Sequence, residues 1–163
     1  MKGAKPQAGA EGFTLLEILV VVTVIGILAG MVVPSLMGQR GRDVNDAAER
    51  LILLINRAQQ EAKLSGRVWR VVLEPGAGRY RFQERSGDEF RAVGFRPFRD
   101  ARETPGIRWR RLTVNGQRAQ GTASVHLFPT GEQDAFGLIL AADDHRRRVV
   151  MGPVGRARVA RGQ

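Results

Sequence analysis

The apolar positions of this chain fall into three regimes. Over residues 13–36 they form a nearly unbroken run, with no charged residue between Ile18 and Val33. As a helix this run is long enough to cross about 30 Å of hydrocarbon, and it predicts one membrane span. Over residues 44–62 they recur at Val44, Ala47, Ala48, Leu51, Ile52, Ile55, Ala58 and Ala62. Spacings of three and four predict an amphipathic helix, with Asp43 suited to its N-cap and Ser65-Gly66 to its end. After Gly66 the period falls to two. Trp69, Val71 and Leu73 share a face, Gly76-Ala77-Gly78 turns the chain, and Tyr80 and Phe82 resume the alternation of a hairpin. Further strands are expected over 108–114, 124–128, 136–140 and 147–151, punctuated by Gly, Pro, Asn and Asp. Residues 88–105, with two prolines and mixed charge, read as loop with one short edge strand.

These elements predict an α+β chain: a flank over 1–12, a span over 13–36, a joining helix over 37–66, and a β-rich head over 67–163. The amphipathic helix should cover one face of an antiparallel sheet, because a sheet must bury its apolar side against another element.

At 163 residues, 43% hydrophobic and 26% charged, the chain has room for one globular head. The net charge of +10 raises nucleic acid and anionic membranes as partners. The arginines are scattered through the head, however, which fits a solvated basic surface better than a dedicated patch. The densest group is Arg146, Arg147, Arg148, Arg156, Arg158 and Arg161, near the C-terminus. Without cysteine there is neither a disulfide nor a thiolate metal site. His126 and His145 are too few and too far apart for zinc-ligand spacing and read as ordinary strand or turn residues. Gly76-Ala77-Gly78 lacks the lysine of a P-loop, Asp143-Asp144 reads as a tight turn, and no spacing pairs a nucleophile with a base. No catalytic residue, metal or cofactor is expected.

The N-terminus departs from a secretory signal, which places its small-residue cleavage site after the apolar core. Here Lys2 and Lys5 lie in a polar flank and the sharp junction, Gly12-Phe13, precedes the apolar run. Glu17 follows inside it. A carboxylate at mid-span costs about 2.5 to 3.5 kcal/mol on insertion scales, less near the interface, so it requires a partner. Gly12-Phe13-Thr14-Leu15-Leu16-Glu17 before an uncharged stretch resembles the prepilin processing site of type IV pilins and of type II secretion pseudopilins. The resemblance implies that a prepilin peptidase cuts after Gly12 and methylates the new amino terminus at Phe13. That amine, one helical turn from Glu17, would attract it by roughly 4 kcal/mol at about 4 Å and an effective dielectric near 20, and would set the register of neighbouring subunits. Pro34 should kink or loosen the helix, a feature the resemblance links to assembly. Gly26 and Gly30 are a weak helix-packing signal.

The head is similar to the minor pseudopilin H group of type II secretion and to its relative, the minor pilin T group of type IV pili. The likeness rests on Gly78-Arg79-Tyr80-Arg81-Phe82, on Phe128-Pro129-Thr130-Gly131-Glu132 with Ala135-Phe136, and on Gly155-Arg156-Ala157-Arg158-Val159. It implies a type IV pilin-like fold and a structural subunit of the periplasmic pseudopilus. Such a subunit is anchored in the bacterial inner membrane with its head in the periplasm. Its partners would be the peptidase, other major and minor pseudopilins, and secreted cargo. The alternative is a minor pilin that binds DNA through Arg156 and Arg158. A generic membrane-anchored binding domain would lack cleavage at Gly12.

Overall fold

A computed structural model describes residues 14–160, including their side chains except those of 29–41. The chain forms two compact units, 1–38 and 39–163. Helix α1, Leu15–Ser65, contributes its first part to one and its remainder to the other.

In the first unit α1 opens at Thr14, whose carbonyl accepts from the amides of Glu17 at 3.0 Å and Ile18 at 3.3 Å. The Thr14 hydroxyl oxygen also accepts from the Glu17 amide, at 3.3 Å. This satisfies a donor left over at a helix start, and such a cap stabilises by about 1 kcal/mol. Because α1 is continuous, Asp43 is an interior residue and not the N-cap its sequence context suggests; no orphaned amides exist there to be capped. Where Pro34 predicts a loosened turn, helical residues continue on both sides. One missing donor removes a single rung from a cooperative ladder of 51 residues. Among the described residues no helix is long and apolar enough to cross a membrane. The run expected to span, 13–36, begins before the described residues and passes at its far end into side chains outside them.

In the second unit the later part of α1 buries Val44, Ala48, Leu51, Ile55, Ala58 and Ala62, the stripe that the three-and-four spacing marks out. Full burial of a side chain such as Leu51 or Ile55 contributes about 1.5 to 3 kcal/mol, and the alanines let neighbouring backbone approach closely. Two sheets share this core, where one was expected. Sheet A contains β1 (Trp69–Glu74), β2 (Arg79–Ser86), β3 (Glu89–Ala92), β4 (Arg102–Glu103) and β7 (Ala123–Leu127), in the order β3-β2-β1-β7 with β4 also on β2. Sheet B contains β5 (Arg108–Val114), β6 (Gln117–Arg118), β8 (Phe136–Ala142), β9 (His145–Met151) and β10 (Arg158–Val159), in the order β10-β9-β8-β5-β6. All pairings are antiparallel. The division follows from β7, which returns to β1 instead of continuing along β5 and β6.

The turns follow local chemistry. Pro75–Ala77 forms a single 3-10 turn closed by Gly78 in the left-handed region (φ 58°), and Asp143-Asp144 form the two-residue loop between β8 and β9, with Asp143 at φ 50°. Two-residue hairpins favour such residues because positive φ matches the strand twist.

The segment over 88–105 does more than its loop-like sequence suggests. It supplies edge strand β3 and the short β4, and it inserts Val93 and Phe98 into the core. Phe98 sits edge-on to Trp69 (5.1 Å between centroids) and to Phe82 (5.0 Å), and Phe82 leads through Tyr80 to Trp109 of sheet B. Thr104 fixes the end of the strap: its hydroxyl donates to the Gly78 carbonyl at 2.8 Å and accepts from Trp109 Nε1 at 2.8 Å.

Candidate functional site

Of the residues singled out at the N-terminus, Gly12 and Phe13 lie outside the described residues, and the Pro34 side chain does too. Glu17 is exposed in the first turn of α1, a favourable end of the helix dipole for a carboxylate. It has no ion partner among the described residues. Around it Leu15, Leu16, Ile18, Leu19, Val20, Val21, Val22, Val24, Ile25, Ile27 and Leu28 are all exposed, Leu15 at 86%. These positions cover every side of the helix. A helix that is apolar all round belongs inside a hydrophobic surround, either a bundle of other helices or lipid.

The second candidate region is the C-terminal segment. Asn56, buried on α1, donates from Nδ2 to the Ala157 carbonyl at 3.2 Å and accepts from the Ala157 amide at 2.8 Å. One turn on, Gln59 Nε2 donates to the Gly155 carbonyl at 2.9 Å and also to Gln133 Oε1. Gln133 Nε2 in turn donates to the carbonyls of Gly152 (2.9 Å) and Gly155 (2.8 Å), and its backbone amide donates to the Pro153 carbonyl at 3.0 Å. Three side-chain amides thus satisfy the backbone of a segment that is largely outside the ladder. Gly155, at φ 103°, makes the bend they require. The result is a fixed ledge from which Arg156 and Arg158 project, both exposed. A cleft of about 400 Å³ lies beside it, lined by Asn56, Gln59, Lys63, Gly131, Glu132 and Arg156 among others. Lys63 rests over Gly131 so closely that a Cβ there would meet its Cε at 3.1 Å. The sequence reading found the arginines and missed their support. The available signal was Asn56 and Gln59, two amides spaced three apart beside the buried Ile55 and Ala62.

His126 and His145 are strand residues, as expected, but His126 belongs to a built cluster. Its backbone amide and its Nδ1 both lie 2.8 Å from Asp134 Oδ2, while Asn115 Nδ2 donates to Oδ1 at 2.8 Å. Partial burial would push the Asp134 carboxyl up; the bonds from Asn115 and His126 outweigh it and hold the group below its ordinary value. Phe90 and Phe128 flank the imidazole at 5.7 and 6.3 Å. This cluster ties β7 to the turn that precedes β8. Among the described residues no group of three or more His, Cys, Asp or Glu is placed to hold a metal ion.

Comparison with known proteins supplies the family. The family described as type II transport protein GspH matches residues 47–155, and the prokaryotic N-terminal methylation motif matches residues 8–33. The chain is 30% identical to type II secretion system protein H of Aeromonas hydrophila, over 91% of this chain and 92% of that one. It is 32% identical to the protein of the same name in Pseudomonas aeruginosa, over 91% and 88%. In structure it is similar to the minor pseudopilin EpsH of the Vibrio cholerae type 2 secretion system, with a TM-score of 0.62 over 72% of this chain and 94% of that one. At 14% identity that likeness shows the fold, a helix on antiparallel sheets of the type IV pilin-like kind. With the helix, both sheets and nearly the whole length accounted for, the chain belongs to the type II transport protein GspH family.

Proposed function

We propose that the protein is a minor pseudopilin of a type II secretion system, a structural subunit of the periplasmic filament that serves protein export. The observation that carries this is the likeness to type II secretion system protein H along nine-tenths of both chains. The leader 1–12 is removed after Gly12, and Phe13 becomes the methylated first residue. The segment 13–36 holds the subunit in the inner membrane before assembly and packs against neighbouring helices afterwards, with Pro34 easing that change. Support comes from the helix that is apolar on all sides over its described part and is opened by a cap at Thr14. Glu17 takes the Phe13 amine of its own or a neighbouring chain and sets register. The head, in the periplasm, meets other pseudopilins and exported proteins. The protein acts by assembly and performs no catalysis of its own.

The test is the distribution of an exported hydrolase between periplasm and medium in a strain lacking the gene. Periplasmic retention, rescued by the intact gene and not by Gly12→Val, is expected. Normal export would overturn the proposal and favour the DNA-binding alternative, whose own mark is a steep salt dependence of DNA affinity lost in Arg156→Ala/Arg158→Ala.

A further inference from the structure

The register of sheet B collects arginines that the sequence keeps apart. Arg108 and Arg110 of β5 stand opposite Ala141 and Ile139 of β8, which in turn stand opposite Arg146 and Arg148 of β9. At the edges Arg158 of β10 pairs with Val150, and Arg118 of β6 pairs with Thr113. Successive side chains alternate between faces, and the intervening Trp109, Leu138, Leu140 and Val149 are buried in the core. Arg108, Arg110, Arg118, Arg146, Arg148 and Arg158 therefore leave the opposite face, and all six are exposed.

Two features make this face more than a charged surface. First, the paired positions that share it carry no carboxylate. The acids around it lie at its margins, with Asp143 and Asp144 in the β8–β9 hairpin loop and Glu103 across a cleft that Arg108 and Arg110 also line. Among the described residues none of the six side chains makes an ion pair, hydrogen bond or ring contact. Arg108 and Arg110, and likewise Arg146 and Arg148, are two residues apart on one strand, about 6.6 Å and inside a Debye length of about 8 Å at physiological salt, so the charges repel one another and an anionic partner relieves that repulsion. Second, the arginines lie on both sides of an uncharged strip in which Ile139 of β8 and Val150 of β9 are half-buried and Gly137 and Ala141 of β8 are buried.

That layout selects among anions. The guanidinium fork matches a carboxylate in two parallel hydrogen bonds, and an aliphatic strip between polar flanks has the anatomy of a protein interface. A single-stranded nucleic acid would want aromatic stacking platforms, and none of the paired positions on this face is aromatic. A lipid surface would want protruding apolar side chains, whereas Ile139 and Val150 are half-buried. We propose that this face docks a protein partner whose surface carries carboxylates on both sides of an aliphatic ridge.

The test places a photo-crosslinking residue at Ile139 of the full-length chain in its own bacterium and sequences the adduct. The expected adduct is one protein, joined at a site flanked by Asp or Glu. Its yield falls about tenfold in Arg110→Glu/Arg148→Glu and is unchanged in Arg85→Glu/Arg91→Glu, which alters net charge equally on sheet A. Reversing the partner's flanking carboxylates to arginine restores the adduct with the first variant. If that variant fails to accumulate, Arg110→Gln/Arg148→Gln is compared in its place, with the same loss expected. An adduct with nucleic acid or lipid, an adduct on a partner surface lacking carboxylates, no adduct, or a yield indifferent to both replacements overturns the proposal.

Discussion

The outward faces of the two sheets are both arginine-rich and are built on opposite terms. On sheet A each arginine has a local partner. Glu74 takes Arg79 Nη2 at 2.5 Å and also takes Arg81, and its hydrogen bond and charge raise the Arg79 guanidinium above its ordinary value. Arg70 donates to Gln83 at 2.7 Å and lies 4.0 Å over the Phe90 ring, and Arg85 reaches Asp88 at 3.4 Å. On sheet B the six arginines have no such partners among the described residues. The same residue type therefore serves the fold on one face and is left for another molecule on the other. A charge is evidence of recognition when its own chain leaves it unanswered.

The inner faces should not differ in this way, and the largest effects test that. Trp69→Ala in sheet A and Leu138→Ala in sheet B each remove a fully buried side chain, and each should cost about 2 to 5 kcal/mol in denaturant unfolding. A loss below about 1 kcal/mol on either side would break the idea of one shared core. Next in size is Glu74→Ala, which leaves Arg79 and Arg81 facing each other without their shared acid. Its melting temperature should drop clearly, by more than that of any single arginine replacement on sheet B.

The Asp134 cluster makes a smaller, pH-dependent contribution at the margin of sheet A. Its carboxyl is lowered in the fold, so its share of stability is present above the ordinary value of 3.8 and is lost as pH falls through the lower native value. Asp134→Asn should flatten the stability profile below about pH 4, and a profile as steep as the parent's would remove the cluster from the account. The lone tyrosine offers an alkaline counterpart. Burial pushes Tyr80 up to about 12, against the pull of Arg102 and Arg50, so its ultraviolet titration should lie well above the usual phenol range and return to it on unfolding. Its stabilising share is present below about pH 10 and is lost as pH rises through the native value. Smallest of all, Arg110→Ala and Arg148→Ala should change stability by no more than about 0.5 kcal/mol, with the sign toward stabilisation. Added salt should narrow the gap to the parent, and a large loss would mean that the sheet B arginines hold the fold after all.

Much of the architecture was legible because each element is an average over many residues. The apolar run, the stripe from Val44 to Ala62 and the alternation through Trp69, Val71, Leu73, Tyr80 and Phe82 repeat a period often enough that tertiary context reinforces them. The loop-like 88–105 was opaque for the opposite reason. Phe98 carries no periodic signal, and its place against Trp69 and Phe82 depends on contacts far apart in sequence. Asp43 misled because a good cap residue is only a cap where helical amides are left unpaired.

By itself, the sequence determined the N-terminal methylation motif over residues 8–33, the position of Glu17, the helical and strand periods, and the family to which they point. These are local properties, set by residue type and spacing along one segment. Only the tertiary structure decided that the strands divide into two sheets, that Asn56, Gln59 and Gln133 hold the ledge bearing Arg156 and Arg158, and that six scattered arginines meet on one face. Strand register joins residues tens of positions apart, and it is fixed by which side chains fill a common core.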